Sequence, residues 1–368
     1  MTGTGRVGVG VIGAGVISTQ YLENLTSFPD LDVRFIADID ESRARAQAVA
    51  FGIPGFGSVA ELLADDAIEI VVNITIPRVH VEIACQVLAA GKNVWSEKPF
   101  ALTRDSGRQL LDAAHAAGLR VASAPDTFLG AGLQSARRLV EGGEIGRPLT
   151  ALTLMQNPGP ESWHPSPDFL FQDGAGPLFD VGPYYITALV EFFGPIARVS
   201  ASTSRARVRR TIGSGPRAGE SFDVTVPTHV GALYEFASGA SAQSVFSFDS
   251  NIRRTQFEIA GVDGSMVVPD PNFFDGEITV HRAGDEISTW PAKGTTTSRG
   301  IGVVELARAI RAGRPERASG ELGFHVLDVM ASTIESGERH ESVEVASTVQ
   351  IAPALDEEWD PRAVTLAR

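Results

Sequence analysis

The chain has 368 residues, 43% hydrophobic and 21% charged, an ordinary globular composition with length enough for two domains. Its 31 basic and 45 acidic residues give a net charge of −14, which argues against nucleic acid and anionic membranes as partners. A single cysteine, Cys85, excludes an intramolecular disulfide and any multi-cysteine metal site, and no apolar run is long enough to span a bilayer, so a cytoplasmic protein is expected.

In chain order, residues 6–12 (Arg-Val-Gly-Val-Gly-Val-Ile) read as a buried strand. Gly13-Ala14-Gly15-Val16-Ile17-Ser18 follows and matches the first two glycines of a dinucleotide-binding turn. Gly13 permits the tight turn, and Gly15 lets backbone approach a pyrophosphate at a helix N-terminus. Gly13, Gly15, Val16 and Ile17 are therefore expected cofactor contacts, with Ser18 as a small substitute for the third glycine. A second strand over 33–37 ends at Asp38, placed to accept from ribose hydroxyls and to repel a 2′-phosphate. That favours NAD, while Arg34 and Arg43 leave NADP open. An N-cap role for Asp38 is the competing reading.

Strand and helix patterns then alternate: strand 68–75, helix 80–90, strand 93–96, helix 104–117, strand 120–124 and helix 131–141. This alternation predicts a doubly wound parallel sheet over residues 1–125. Gly91, Gly118 and Gly142 fall where left-handed C-caps belong. Only three of the 31 basic residues are lysine: Lys92, Lys98 and Lys293. Lysine can lower its pKa on burial and arginine cannot. Lys98 follows a strand of the nucleotide-binding pattern, at the carboxyl edge where ligands bind. Asp126 follows the next strand at the same edge and is an expected nicotinamide or substrate contact. A second domain is expected over 126–368, and after Arg147-Pro148 the pattern changes to short alternating runs separated by Gly, Asp, Asn and Ser turns, with exposed excursions expected at 204–221 and 292–299.

Further signatures are Thr75-Ile76-Pro77-Arg78-Val79-His80, Trp95-Ser96-Glu97-Lys98-Pro99 and Gly176-Pro177-Leu178-Phe179-Asp180-Val181-Gly182-Pro183-Tyr184. With Gly13-Ala14-Gly15, Asp38 and the later stretch 319–328, the chain resembles the Gfo/Idh/MocA oxidoreductases, the glucose–fructose oxidoreductase and inositol dehydrogenase group. The resemblance covers essentially the whole chain. It implies an N-terminal Rossmann domain and, over 126–368, an α+β domain with a large, mostly antiparallel open sheet. It also implies burial of the open sheet face in a homodimer or homotetramer.

By the same resemblance, Lys98 touches nicotinamide ribose and substrate, Glu97 bonds Lys98 or the ribose, and Thr75, Pro77 and His80 lie beside the cofactor. Asp180 and Tyr184 are four apart and share a helical face. Many relatives have His where this chain has Tyr184; the glucose–fructose oxidoreductase and dihydrodiol dehydrogenase branches resemble it in carrying Tyr. Tyr184 would exchange the substrate proton with Lys98 assisting, since nearby positive charge lowers a phenol pKa, and Asp180 would bind a neighbouring hydroxyl. Tyr185 is the alternative to Tyr184. Trp163 and His164, in a proline-rich loop, suit a sugar face. The remaining histidines show no ligand spacing, so no metal is expected.

These residues imply an NAD(P)-dependent dehydrogenase acting on a secondary alcohol or hemiacetal carbon of a sugar or cyclitol. Two other readings stay open: an NAD-dependent glycosidase with transient redox chemistry, and a cofactor-binding sensor without turnover. An S-adenosylmethionine methyltransferase would need neither Glu97-Lys98-Pro99 nor the Asp180/Tyr184 pair.

Overall fold

The structure is a computed structural model and describes residues 5–366. The chain forms two compact units that are not contiguous in sequence. The first gathers the segment up to Ala131, Gly294–Leu327 and the segment from Ala352; the second gathers Gly132–Lys293 and Asp328–Ile351. A single cut between residues 125 and 126 does not describe this division, because two later segments return to the first unit.

Among the described residues the first unit holds a six-stranded sheet: β1 (Val7–Ile12), β2 (Leu31–Ala37), β3 (Gly55–Gly57), β4 (Ile70–Asn73), β5 (Asn93–Ser96) and β6 (Val121–Ser123). The order is β3-β2-β1-β4-β5-β6, and every pair is parallel. This is the doubly wound order of dinucleotide-binding folds. All six residues of β1 are buried, as expected of a parallel strand covered on both faces. Gly8 is required there, since a Cβ would stand 1.8 Å from the Ala67 carbonyl oxygen.

The helices of this part are α1 (Ser18–Leu25), α2 (Glu41–Phe51), α3 (Val59–Leu63), α4 (His80–Ala89) and α5 (Arg104–Ala117); α6 (Ala131–Glu141) follows and from Gly132 on belongs to the second unit. Side chains set their starts: Asp40 caps α2, and Ser58 with Glu61 and Thr103 with Ser106 form capping boxes on α3 and α5. Gly91 and Gly118 adopt the expected left-handed conformation. After α6 the left-handed residue is Gly143, not Gly142; the Gly142 N–H still bonds the Arg138 carbonyl in helical fashion, so the chain reverses one residue later.

In the second unit α7 (Gly176–Phe193) packs on an open sheet built from β7 (Pro148–Gln156), β8 (Ile196–Ser204), β11 (His229–Phe236), β12 (Ser241–Ser247), β13 (Arg254–Gly261), β14 (Ser265–Val267), β15 (Ile278–Arg282), β16 (Glu286–Trp290) and β17 (Val343–Glu344). Only the β7–β12 pair is parallel. Alternation along β11 buries Val230, Ala232, Tyr234 and Phe236 and turns Leu233 and Glu235 outward. The excursion expected at 204–221 is in part a ribbon of β9 (Arg209–Thr211) and β10 (Ser221–Asp223). It is not simply exposed: Arg210 is buried, pairs with Glu161 and Asp249, and lies over the Phe171 ring. Helices α8 (Ile301–Ala312) and α9 (Gly320–Arg339) complete the order. Among the described residues no helix is long and apolar enough to cross a membrane.

Candidate active site

Register builds one row of strand ends. Ala37 lies beside Ile12, Ile12 beside Asn73, Asn73 beside Ser96, and Ser96 beside Ser123. The loops that carry Gly13, Asp38, Thr75, Glu97 and Asp126 therefore leave the sheet along a single carboxyl edge.

At β1 the backbone turns through Gly13, with φ +112°; a Cβ there would meet the Ile74 carbonyl oxygen at 2.8 Å. A Cβ added at Gly15 would meet nothing within 4 Å, so the turn faces open space. Val16 beside it is 98% exposed and Ile17 half-buried, while Ser18 is buried and donates its hydroxyl to the Gly15 carbonyl at 2.6 Å. Asp38, half-buried, accepts from the Ala14 N–H at 2.6 Å and the Asp40 N–H at 2.8 Å. The N-cap role weighed for Asp38 belongs to Asp40, whose carboxylate accepts from the Ser42 N–H. Arg34 pairs with Asp32 and Asp65, and Arg43 with Asp40, so both arginines have carboxylate partners other than Asp38.

His80 joins the loops after β4 and β5. Its Nδ1 lies 3.1 Å from the Pro99 carbonyl oxygen and its Nε2 3.0 Å from that of Thr75, and it is buried. Thr75 donates its hydroxyl to the Asn73 side chain at 2.7 Å, and Asn73 donates to the His80 carbonyl at 2.9 Å. Pro77 opens an exposed single turn. The Lys98–Pro99 and Ala124–Pro125 peptides are both cis. Lys98 is half-buried. Glu97 is buried and accepts from the Lys98 N–H at 2.9 Å and from the Tyr21 hydroxyl at 2.8 Å.

Asp126 is held by the backbone at the start of α8. It has no exposed surface and accepts at 2.8 and 3.1 Å from the N–H groups of Gly300 and Gly302, where α8 begins. Burial raises its pKa to about 6, against the lowering effect of these N–H groups and Arg299. One oxygen of this carboxylate, Oδ2, thus caps α8, while the other, Oδ1, is buried without a hydrogen-bond partner.

In the second unit Asp180 and Tyr184 lie on one side of α7, Asp180 half-buried and Tyr184 buried. Pro183 between them has no N–H for the Phe179 carbonyl. Tyr185 belongs to the core: it is 1% exposed, stacks on Phe257 and donates to Asp270 at 3.3 Å. Trp163, 64% exposed, meets His164 edge-on with ring centres 5.5 Å apart, and His164 meets Phe169 at the same spacing. Among the described residues no group of three or more His, Cys, Asp or Glu side chains is placed to hold a metal ion. Sequence reasoning gave no role to Tyr21, Trp95 or Asn73; the local signals were an Asn closing a strand before a Thr and the place of Trp95 in the Trp95–Pro99 signature.

The family model described as "Oxidoreductase family, NAD-binding Rossmann fold" matches residues 7–124, and the Gfo/Idh/MocA C-terminal domain matches 133–267. The chain belongs to the Gfo/Idh/MocA oxidoreductase family. Its first unit carries the family's NAD-binding Rossmann fold and its second a mostly antiparallel sheet, as the sequence implied. An uncharacterized oxidoreductase of Rhizobium meliloti is 34% identical over 187 residues, 49% of this chain and 54% of that one, so the chain spans about half of that relative. A D-xylose 1-dehydrogenase (NADP(+)) of Haloferax volcanii is 26% identical over 345 residues, 91% of this chain and 99% of that one. Levoglucosan dehydrogenase in complex with NADH and L-sorbose shares the fold, with TM-score 0.81 at 23% identity, covering 93% of this chain and 100% of that chain.

Proposed function

We propose that this oxidoreductase is an NAD-dependent dehydrogenase acting on a secondary alcohol or hemiacetal carbon of a sugar or cyclitol. The observation that carries the reading is the half-buried Lys98 at the carboxyl edge of a dinucleotide-binding sheet, in Glu97-Lys98-Pro99. The residues present fit the dinucleotide: the open space over Gly15 admits a pyrophosphate, and Asp38 stands at the end of β2 where a ribose belongs. NAD is favoured over NADP because Asp38 is an anion and both nearby arginines pair with carboxylates elsewhere. The relatives' names, a xylose dehydrogenase and a levoglucosan dehydrogenase, support a carbohydrate substrate.

When bound, NAD supplies the hydride acceptor. Gly13, Gly15, Val16 and Ile17 hold its phosphates, and Asp38 its ribose; Thr75, Pro77 and His80 shape the edge beside it. Lys98 stabilises the charge that develops on the substrate oxygen as its proton leaves. Tyr184 exchanges that proton, and Asp180 fixes a neighbouring hydroxyl. Trp163 and His164 offer an exposed aromatic face to the C–H side of a sugar ring. Outward Leu152, Leu154, Leu233 and Val245 lie in two adjacent rows of the open sheet, which supports self-association into a dimer or tetramer.

The test is absorbance of reduced nicotinamide on mixing the protein with NAD or NADP and a panel of aldoses, inositols and glycosides. A rise with NAD and one polyol group is expected. Glycoside cleavage without a rise would replace the reading with the glycosidase one.

A further inference from the structure

Three buried side chains, from α1, β5 and the loop that follows β5, form a relay that ends on the Lys98 peptide N–H. The Trp95 indole N–H donates to the Tyr21 oxygen at 3.2 Å. The Tyr21 hydroxyl donates to Glu97 Oε1 at 2.8 Å. Glu97 Oε2 accepts from the Lys98 N–H at 2.9 Å. Trp95 and Tyr21 have no exposed surface and Glu97 has 9%. Trp95 is pinned from α8, since a Cβ on Gly302 would stand 2.0 Å from its ring.

The direction of each bond is fixed by chemistry. An indole can only donate and an ionised carboxylate only accept, so the phenol between them must accept from one and donate to the other. Burial, with Glu97 and Asp126 nearby, raises the Tyr21 pKa well above its ordinary value, so its proton is always present. Both oxygens of Glu97 are thereby engaged, one by Tyr21 and one by the peptide of the residue it serves. A buried carboxylate with one oxygen released would be free to rotate.

We propose that Tyr21 is a positioning residue of the active site: it fixes the Glu97 carboxylate, and through it the peptide and charge environment of Lys98. The proposal rests on the role given to Lys98 above. It predicts that Tyr21→Phe, which keeps the ring and removes one hydroxyl, acts on Lys98 although α1 lies outside the Glu97-Lys98-Pro99 loop. With Glu97 released, its anion is free to approach the Lys98 ammonium.

With only three lysines in the chain, the reactivity of each amine can be followed separately by acetic anhydride labelling and mass spectrometry. In Tyr21→Phe the labelling rate of Lys98 at pH 8 should fall at least threefold, with Lys293 unchanged. In Glu97→Gln, which removes the anion, it should rise at least threefold. Tyr21→Phe should lower kcat at least tenfold and leave the NAD dissociation constant within twofold. Unchanged Lys98 labelling in both folded variants overturns the proposal and leaves Tyr21 a core aromatic. If the wild type turned over no polyol while the labelling moved as stated, the dehydrogenase reading would fail and the positioning of Lys98 by Tyr21 would stand. Melting temperature, read alongside, shows whether each variant is folded; if Tyr21→Phe is not, Glu97→Gln decides.

Discussion

Arg308 and Asp30 are 278 residues apart in sequence, and the guanidinium Nε donates to the carboxylate at 2.8 Å inside the first unit. The same arginine donates to the carbonyls of Asp360 and Ala363, and Asp30 accepts from the N–H groups of Thr365 and Leu366. The pair thus holds the last described segment against α8. Removing one partner of a buried ion pair costs about 3–5 kcal/mol. Arg308→Met should lose that much in denaturant unfolding and open residues 359–366 to proteolysis. Burial alone would raise the Asp30 pKa, but the bonds from Thr365, Leu366 and Arg308 outweigh it and hold it below the usual range. Its contribution is therefore complete above the ordinary carboxyl pKa and is lost as pH falls through the lowered one. Arg308→Met should flatten the acid limb of the stability curve below about pH 4.

Asp126 has the opposite sign. Its pKa is raised to about 6, so the folded state binds its proton more tightly than the unfolded chain. That stabilisation is complete below the ordinary value of 3.8 and is lost as pH rises through about 6. The difference corresponds to about 3 kcal/mol. Asp126→Asn keeps an oxygen for the Gly300 and Gly302 N–H groups and removes the charge. Denaturation midpoints at pH 4 and pH 8 should differ less in the variant than in the wild type; an equal difference would count against this carboxyl as the titrating group.

Asp38 should set cofactor choice. Each hydrogen bond to a charged group contributes about 1.5–3 kcal/mol. Asp38→Ser should weaken NAD binding about tenfold or more and narrow the gap to NADP, read by quenching of protein fluorescence. An unchanged NAD/NADP ratio would leave Asp38 with the Ala14 turn alone.

Tyr184→Phe should lower kcat by about 10²–10⁴, the range of a lost general acid/base, with the NAD dissociation constant unchanged. Tyr185→Phe is the matched control: it loses the bond to Asp270, about 1 kcal/mol of stability, and keeps wild-type kcat. Reversal of the two phenotypes would assign the proton to Tyr185.

Lys98→Met should abolish turnover while NAD still binds, because the methionine keeps the length of the stem and removes the charge. Wild-type turnover in this variant would remove Lys98 from the chemistry.

The parallel sheet was legible because βα alternation is local: β5 and α5 match their expected bounds residue for residue. β3 was not, since Gly55-Phe56-Gly57 has no period to read and is a strand only because it pairs with Phe35–Ala37. Asp126 read as a ligand contact because it follows a strand; the α8 backbone that claims it returns 174 residues later. Tyr21 was not singled out, because its hydroxyl partner lies 76 residues away. Lys92 looked like a compositional survivor, yet its buried ammonium donates to the Asp65 and Ile68 carbonyls at 2.7 and 2.9 Å. Short-range pattern shows which residues reach the edge of the sheet; which of them are then capped from behind depends on distant chain.

The discontinuity of the first unit has a consequence for synthesis. Trp95, Tyr21 and Asp126 wait for α8, and Asp30 waits for Thr365 and Leu366. A chain translated as far as residue 131 has every strand of the nucleotide-binding sheet but neither α8 nor the segment that Asp30 holds. Residues 132–293 of the second unit are therefore translated before α8, and Trp95 and Asp126 gain their contacts with it only afterwards.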